Sequence, residues 1–474
     1  MSNKLIVMIV MTATAVFGGV TLGPLVPLLA YYFFAVMRPQ YIWKYELPAD
    51  IQWSFVVAIV AMAATVIARC GLMYYPTYGP TAGARRPGWN RVHWLLLAFA
   101  LWVCLSYQAA LSQTVAWPFF LEYVKMFVMF LVAALVVQRV NLLWTILIVL
   151  ALADIYIAWE INFFYFSTGY MYLQNNGFGG LDNNGAGLML AMGIPLCYFL
   201  WEGTVGRVRW LFLAAMPVIA HAVMLSFSRG AMLSILLAAP WLFFFSSQKK
   251  KVALAYVLGG AFVLATAGPE LQARFFSISS HEIDESANSR KQTWLIAIKL
   301  ANQHPILGLG VRCSTLVTQD MGADMKGRAI HSQYLQTAAD CGWVGMGLFV
   351  ALLVMAVWQM TVFFRRTRHW PRYPEVMRAR AIAGAVVCSL MVYAVGGVFL
   401  SLDNFELPYV LFLVSAQMFS IYKAGGVEAM VWQSLPPRYA PLPPRPPPRP
   451  PRVPATVPPR PWTPPIPAAP TVPA

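Results

Sequence analysis

Three residues of this chain stand where their chemistry is out of keeping with their surroundings. Arg229 interrupts the run from Trp210 to Phe245, which is otherwise apolar apart from Ser226, Ser228 and a few small residues. Split at Gly230, that run gives two helices of spanning length with Arg229 at the turn. An Arg there either anchors at lipid headgroup phosphates or binds one specific phosphate, for which guanidinium offers a bidentate fork. Arg290 opens a stretch, Ser289 to His304, that reads as a helix with Arg290, Trp294, Ala297 and Ala301 on one face and Lys291, Lys299 and Asn302 on another. Laid on a membrane, such a helix turns Trp294 inward and Arg290 with it. The cation then either snorkels out or has an anionic ligand beneath it. His331 precedes Ser332, Gln333 and Tyr334 at the mouth of a long apolar helix. It is either an acid or base, being the side chain that exchanges a proton near neutral pH, or an interfacial residue without a chemical role.

Other polar groups are less specific. Asp182, Asn183 and Asn184 precede the apolar stretch 185–201 and read either as a helix N-cap or as hydrogen-bonding groups for sugar hydroxyls. Glu122 and Lys125, three apart, are expected to pair within the membrane. Asp154, Glu160, Asp403 and Glu406 are read as structural residues near span ends. The six cysteines are scattered, with no CxxC pair and no His at ligand spacing. Neither a disulfide, a structural metal nor a cofactor is expected from them.

The elements that must position these residues are apolar. Of 474 residues, 59% are hydrophobic and 11% charged, too few charges to give a soluble protein its polar skin. We expect one all-α polytopic membrane domain over residues 1–435, with apolar segments near 5–20, 21–37, 52–69, 93–111, 118–137, 142–165, 185–201, 209–226, 230–246, 251–267, 334–363, 380–400 and 405–422. That makes twelve or thirteen transmembrane helices, depending on whether the first two form a hairpin or one broken helix. Every second loop from the third span onward is basic: Arg85, Arg86 and Arg91; Arg139; Arg207 and Arg209; Lys249 to Lys251; and six arginines within 365–380. Such loops stay in the cytoplasm, so the net charge of +16 reflects topology and not a nucleic-acid partner. The alternation places the polar stretch 268–333 outside as one large loop. The last 39 residues, 436–474, hold 19 prolines, five arginines and no acid, and read as a disordered cytoplasmic tail, with a proline-motif-binding partner as the alternative.

Taken together, SFSRGAML (226–233), SANSRKQTWLIAIKLANQHPILGLG (286–310) and IHSQYLQTAADCGWVGMGLF (330–349) resemble the O-antigen ligase and polymerase superfamily. MRPQYIWKYELP (37–48) and GLDNNGAGLMLAMGIPL (180–196) add a narrower resemblance to O-glycosylation ligases associated with exosortase systems. One departure is Asp340 followed by Cys341, where the family more often has Glu; the carboxylate is kept. The resemblance runs from about residue 20 to 420 and implies a GT-C-type glycosyltransferase fold. It also implies an active site at the outer face of a bacterial inner membrane, inversion at the anomeric centre, and no bound metal. The implied partners are a polyprenyl-diphosphate-linked glycan donor, a lipid or protein acceptor, and membrane lipids. By motif, Arg229, Arg290 and His331 match the catalytic positions. Ser228, Asp182, Asn183, Asn184, Gln333 and Tyr334 flank them as expected substrate-binding residues. Two arginines on the departing diphosphate and a histidine on the acceptor hydroxyl would suit that chemistry. A ligase, a polymerase with the same donor, and a transporter of lipid-linked sugars are the three readings, and the absence of matched half-chain repeats speaks against the last.

Overall fold

The computed structural model describes residues 2–48, 51–75, 78–266, 285–323, 329–401 and 405–434. Among these the chain is helical, with no strand. The elements are α1 (Asn3–Thr21), α2 (Leu25–Met37), α3 (Pro39–Ile42), α4 (Trp53–Arg69), α5 (Arg91–Gln108), α6 (Gln113–Val136), α7 (Val140–Thr168), α8 (Tyr172–Asn176) and α9 (Asn183–Gly203). There follow α10 (Arg209–Leu225), α11 (Arg229–Phe245), α12 (Lys249–Thr266), α13 (Glu285–Gln303), a 3-10 turn Cys313–Leu316, α14 (Gln333–Thr367), α15 (Pro374–Phe399), α16 (Glu406–Lys423) and α17 (Gly426–Ser434). Met1–Val431 forms one compact unit. The proline-rich tail and Asp403 lie outside the described residues.

The protein is an all-α polytopic membrane protein. Each of the thirteen apolar segments contains a helix. Among the described residues six helices (α1, α6, α7, α9, α14 and α15) are long and apolar enough to cross a membrane, or seven if α16 and α17 count as one bent span. α4, α10 and α11 are apolar but only 17 residues each. That gives about 25 Å of helix against a hydrocarbon core of about 30 Å.

α1 and α2 make the hairpin and not one broken helix. Lys4 at the start of α1 lies 3.1 Å from Glu46, beyond the end of α2. At the other end, the Tyr75 hydroxyl donates to the Val20 carbonyl at 3.3 Å. α9 and α15 pack at the centre of the bundle. Gly384 sits against the Phe199 ring and Gly396 against Leu188, each so close that a Cβ would lie 2.3 Å away. Small residues let helices without a hydrophobic driving force approach closely. Ser389 locks the pair by donating to Met192 O at 2.8 Å.

Asp154 is not at a span end. It lies mid-way along the 29-residue α7, 1% exposed and facing Gly193 of α9. Glu160 is 3.7 Å from Lys4. The expected Glu122–Lys125 pair is present at 2.5 Å, and Lys125 also lies 3.8 Å from Glu406, which accepts the Tyr31 hydroxyl. The basic loops gather at one end of the bundle. There Arg85 N bonds Ala424 O, Arg139 Nε bonds Gly79 O at 2.9 Å, and Arg378 bonds Asn141 Oδ1 at 3.0 Å.

Candidate active site

At the opposite end, two helices begin in the same way. Phe227 has φ +53° and His331 φ +52°, in the left-handed region that a bulky side chain seldom occupies. Each is followed by a buried serine that caps a helix: Ser228 Oγ accepts from Ala231 N at 3.3 Å, and Ser332 Oγ from Leu335 N at 3.5 Å. Arg229 is thus the first residue of α11, and His331 sits just ahead of α14. A cation at a helix start meets the positive end of the macrodipole, which is unfavourable unless an anion joins them. α9 begins at this end too. Asp182 caps it by accepting from Gly185 N at 2.7 Å. Asn183 Nδ2 then donates to Ser226 O at 2.9 Å, fixing the turn that carries Ser228 and Arg229.

The three motifs meet at the last residues of α15. Gly230 has Phe399 and Leu400 as its nearest neighbours, within 3.6 Å of its Cβ position. Gln333 N donates to Leu400 O at 3.0 Å. The Trp294 ring lies 6.3 Å from that of Phe399. Thr293 Oγ1 is 3.0 Å from Arg290 O and 3.3 Å from Ile330 O, tying the turn that begins at Arg290 to the residue before His331. Arg229 therefore stands one residue from this junction, His331 two, and Arg290 one helical turn. All three are half-buried.

The polar stretch is held as a folded cap. On α13 the buried face is Thr293, Ile296, Ala297, Leu300 and Ala301, while Lys291, Lys299 and Asn302 are exposed, as the helical wheel requires. Ile296, Leu300, Leu309, Cys313 and Ile330 form a small core with Ala339 of α14 and Ala116 of α6. α14 is broken at Gly342 (φ +76°, ψ 172°), and the chain after α13 docks into the break. Leu309 N bonds Ala339 O at 3.0 Å, Gly310 N bonds Asp340 O at 2.8 Å, and Trp343 N bonds Pro305 O at 2.9 Å. The Asp340 carboxylate accepts from Ser314 N at 3.1 Å and Gln336 Nε2 at 2.7 Å. Asp340→Ala is expected to cost about 2 kcal/mol by leaving buried donors unsatisfied, and Asp340→Asn less. Thermal unfolding in detergent measures both.

Of the expected substrate-binding residues, Ser228 is fully buried and Gln333 1% exposed. The Tyr334 hydroxyl is committed to Ala394 O at 2.8 Å. Asn184 Nδ2 bonds Asn183 Oδ1 at 3.2 Å. These contacts fix the positions of the helix starts. Sequence reasoning passed over two further arginines at this end, Arg38 and Arg312. Both are left-handed (φ +50° and +61°), so the four non-glycine residues with positive φ among those described all lie here. Arg38 stood within a quoted motif, and Arg312 follows Gly310 closely, but both had been counted only as charges. Among the described residues no group of three or more His, Cys, Asp or Glu could hold a metal ion.

No curated protein matches the chain. A family model described as O-Antigen ligase matches residues 211–350. That stretch runs from α10 into α14 and contains Arg229, Arg290 and His331. Bringing these three motifs together at one end of a membrane bundle, the chain carries an O-antigen ligase domain over residues 211–350.

Proposed function

We propose that the protein is a glycosyltransferase. It moves a glycan from a polyprenyl-diphosphate carrier to a lipid or protein acceptor at the outer, periplasmic face of a bacterial inner membrane. The observation that carries this reading is the meeting of the Arg229, Arg290 and His331 segments at Phe399–Leu400, with the starts of α9, α11 and α14 at the same end. An anion there gains from arginine forks and helix dipoles together. The orientation follows from the basic loops at the far end, which belong in the cytoplasm.

In the proposed step the acceptor oxygen attacks the anomeric carbon as His331 takes its proton. The bond from that carbon to the diphosphate oxygen breaks, and the electron pair leaves with the diphosphate. Arg229 and Arg290 stabilise the charge that builds there. Attack from the face opposite the leaving group inverts the centre. The exosortase-associated subtype is supported by segments 37–48 and 180–196, which lie outside the matched residues.

The test uses purified full-length protein in lipid with a labelled polyprenyl-diphosphate oligosaccharide and a candidate acceptor. A ligase adds one glycan to the acceptor, and a polymerase gives lengthening lipid-linked products. Release of polyprenyl diphosphate is expected to survive a chelator and to be lost in His331→Ala. Intact lipid crossing the bilayer with no transfer would refute the reading in favour of a transporter.

A further inference from the structure

A cavity lies beside the junction. It has a volume of about 280 Å³, and Ser401 and Leu181 in its wall adjoin Leu400 and Asp182 in sequence. Three cations line it, Arg38, Lys125 and Arg312, with two carboxylates, Glu122 and Glu406. Lys125 lies between the carboxylates, 2.5 Å from Glu122 and 3.8 Å from Glu406, so one cation is shared by two acids. Three cations against two carboxylates leave the lining one positive charge in excess, and the two guanidiniums supply the bidentate forks for an anion. Each is braced: Arg38 donates to the Gly179 carbonyl and lies over the Phe405 ring, and Arg312 lies 5.1 Å over the Phe119 ring. Both stand on left-handed backbone, a strain that persists where surrounding structure imposes it and that clusters at functional sites. Two buried polar atoms in the wall, Ser401 Oγ and Gln40 Oε1, have no hydrogen-bond partner among the described residues. Phe34, Tyr41 and Phe119 add apolar surface.

We propose that this cavity binds one acidic sugar residue, its carboxylate on Arg38 and Arg312 and its hydroxyls on Ser401, Gln40 and the paired carboxylates. An acyl chain would leave these polar groups unsatisfied, and the volume suits about one ring, being near the lower end for ligand pockets. The assignment of that sugar to donor or acceptor rests on the transferase reading. Binding of the sugar itself does not.

The experiment is saturation-transfer NMR titration of the full chain in nanodiscs with glucuronate, glucose and inorganic phosphate. Wild type is expected to bind glucuronate at least about tenfold tighter than glucose, the lower end for a charge-assisted hydrogen bond. Arg312→Gln brings glucuronate down to the level of glucose, and Arg312→Lys, which keeps the charge without the fork, falls between. Arg38→Gln is expected to act likewise, and a variant is read only if its melting curve matches wild type, so Arg312 carries the test if Arg38→Gln misfolds. Equal affinity for the two sugars, or a preference untouched in folded Arg312→Gln, would overturn the proposal. So would binding of phosphate without glucuronate, which makes this a phosphate site. A protein that prefers glucuronate but transfers no glycan keeps this inference and sinks the transferase. Given transfer, a lower KM when the uronate is placed in the donor, or in the acceptor, identifies which one the cavity holds.

Discussion

Arg229→Ala is expected to lower polyprenyl-diphosphate release by about 100- to 1,000-fold, the cost of removing one group aimed at developing charge in an active site. The same change should leave the start of α11 folded. Arg229 is the first residue of α11, where its charge opposes the helix dipole, and relieving that contact returns about 0.3–1 kcal/mol. The cap does not depend on it, because Ser228 Oγ holds Ala231 N. Nor does the tether between Asn183 and Ser226. Activity should therefore fall far more than stability. Arg229→Lys should lose less than Ala, since it keeps a point charge without the fork. Release assayed beside thermal unfolding in one detergent settles both. An Arg229→Ala protein that is inactive because it has melted would contradict the assignment.

Gly342→Ala is expected to cost about 3 kcal/mol or more and to abolish activity with the fold. At φ +76° and ψ 172° Gly342 occupies backbone space that is essentially reserved for glycine. A Cβ there would lie 2.1 Å from the Ile306 carbonyl oxygen. That oxygen belongs to backbone in the chain docked into the break, so no side-chain rotation can relieve the clash. The segment would have to lift away, releasing the bonds from Leu309, Gly310 and Trp343 and loosening the attachment of α13 and Arg312. Gly347, five residues further along the same helix, is the control. Nothing lies within 4 Å of its Cβ position. Gly347→Ala should therefore be neutral or gain about 0.5–1 kcal/mol from helix propensity. Unfolding curves and proteolysis of the segment after α13 in the two variants give the comparison; equal stability would show that the docked break is not what holds the cap.

The sequence was readable where one physical rule dominates. Apolar runs placed the helices, and alternate basic loops predicted which ends of the bundle lie together, because hydrocarbon tolerates neither unsatisfied backbone nor stray cations. Helical periodicity put Ala297 and Ala301 on the buried face of α13 and Lys291, Lys299 and Asn302 on the exposed one, but that face is centred on Thr293, Ile296 and Leu300, with Arg290 and Trp294 at its edge. The bounds of α10 and α11 fall within one residue of the segments 209–226 and 230–246. Arg229 and His331 stood out by residue type, but the devices that aim them did not. Left-handed backbone at Phe227 and His331 has no marker in residue identity, since glycine is the usual occupant. Asp340 looked like a conservative variation of a motif, yet its contacts to Ser314 and Gln336 position the chain around Arg312. Asp154 was misplaced because charge was assumed to sit at span ends; the structure buries it mid-helix against a glycine.

If Arg229 and Arg290 serve one leaving group, single-turnover release of polyprenyl diphosphate in wild type, Arg229→Lys, Arg290→Lys and the double variant will show it. Groups that act as a unit lose their effect together. The double variant should then be slower than the worse single variant by no more than a few-fold. Losses that multiply fully would place the two arginines at independent sites and contradict the claim.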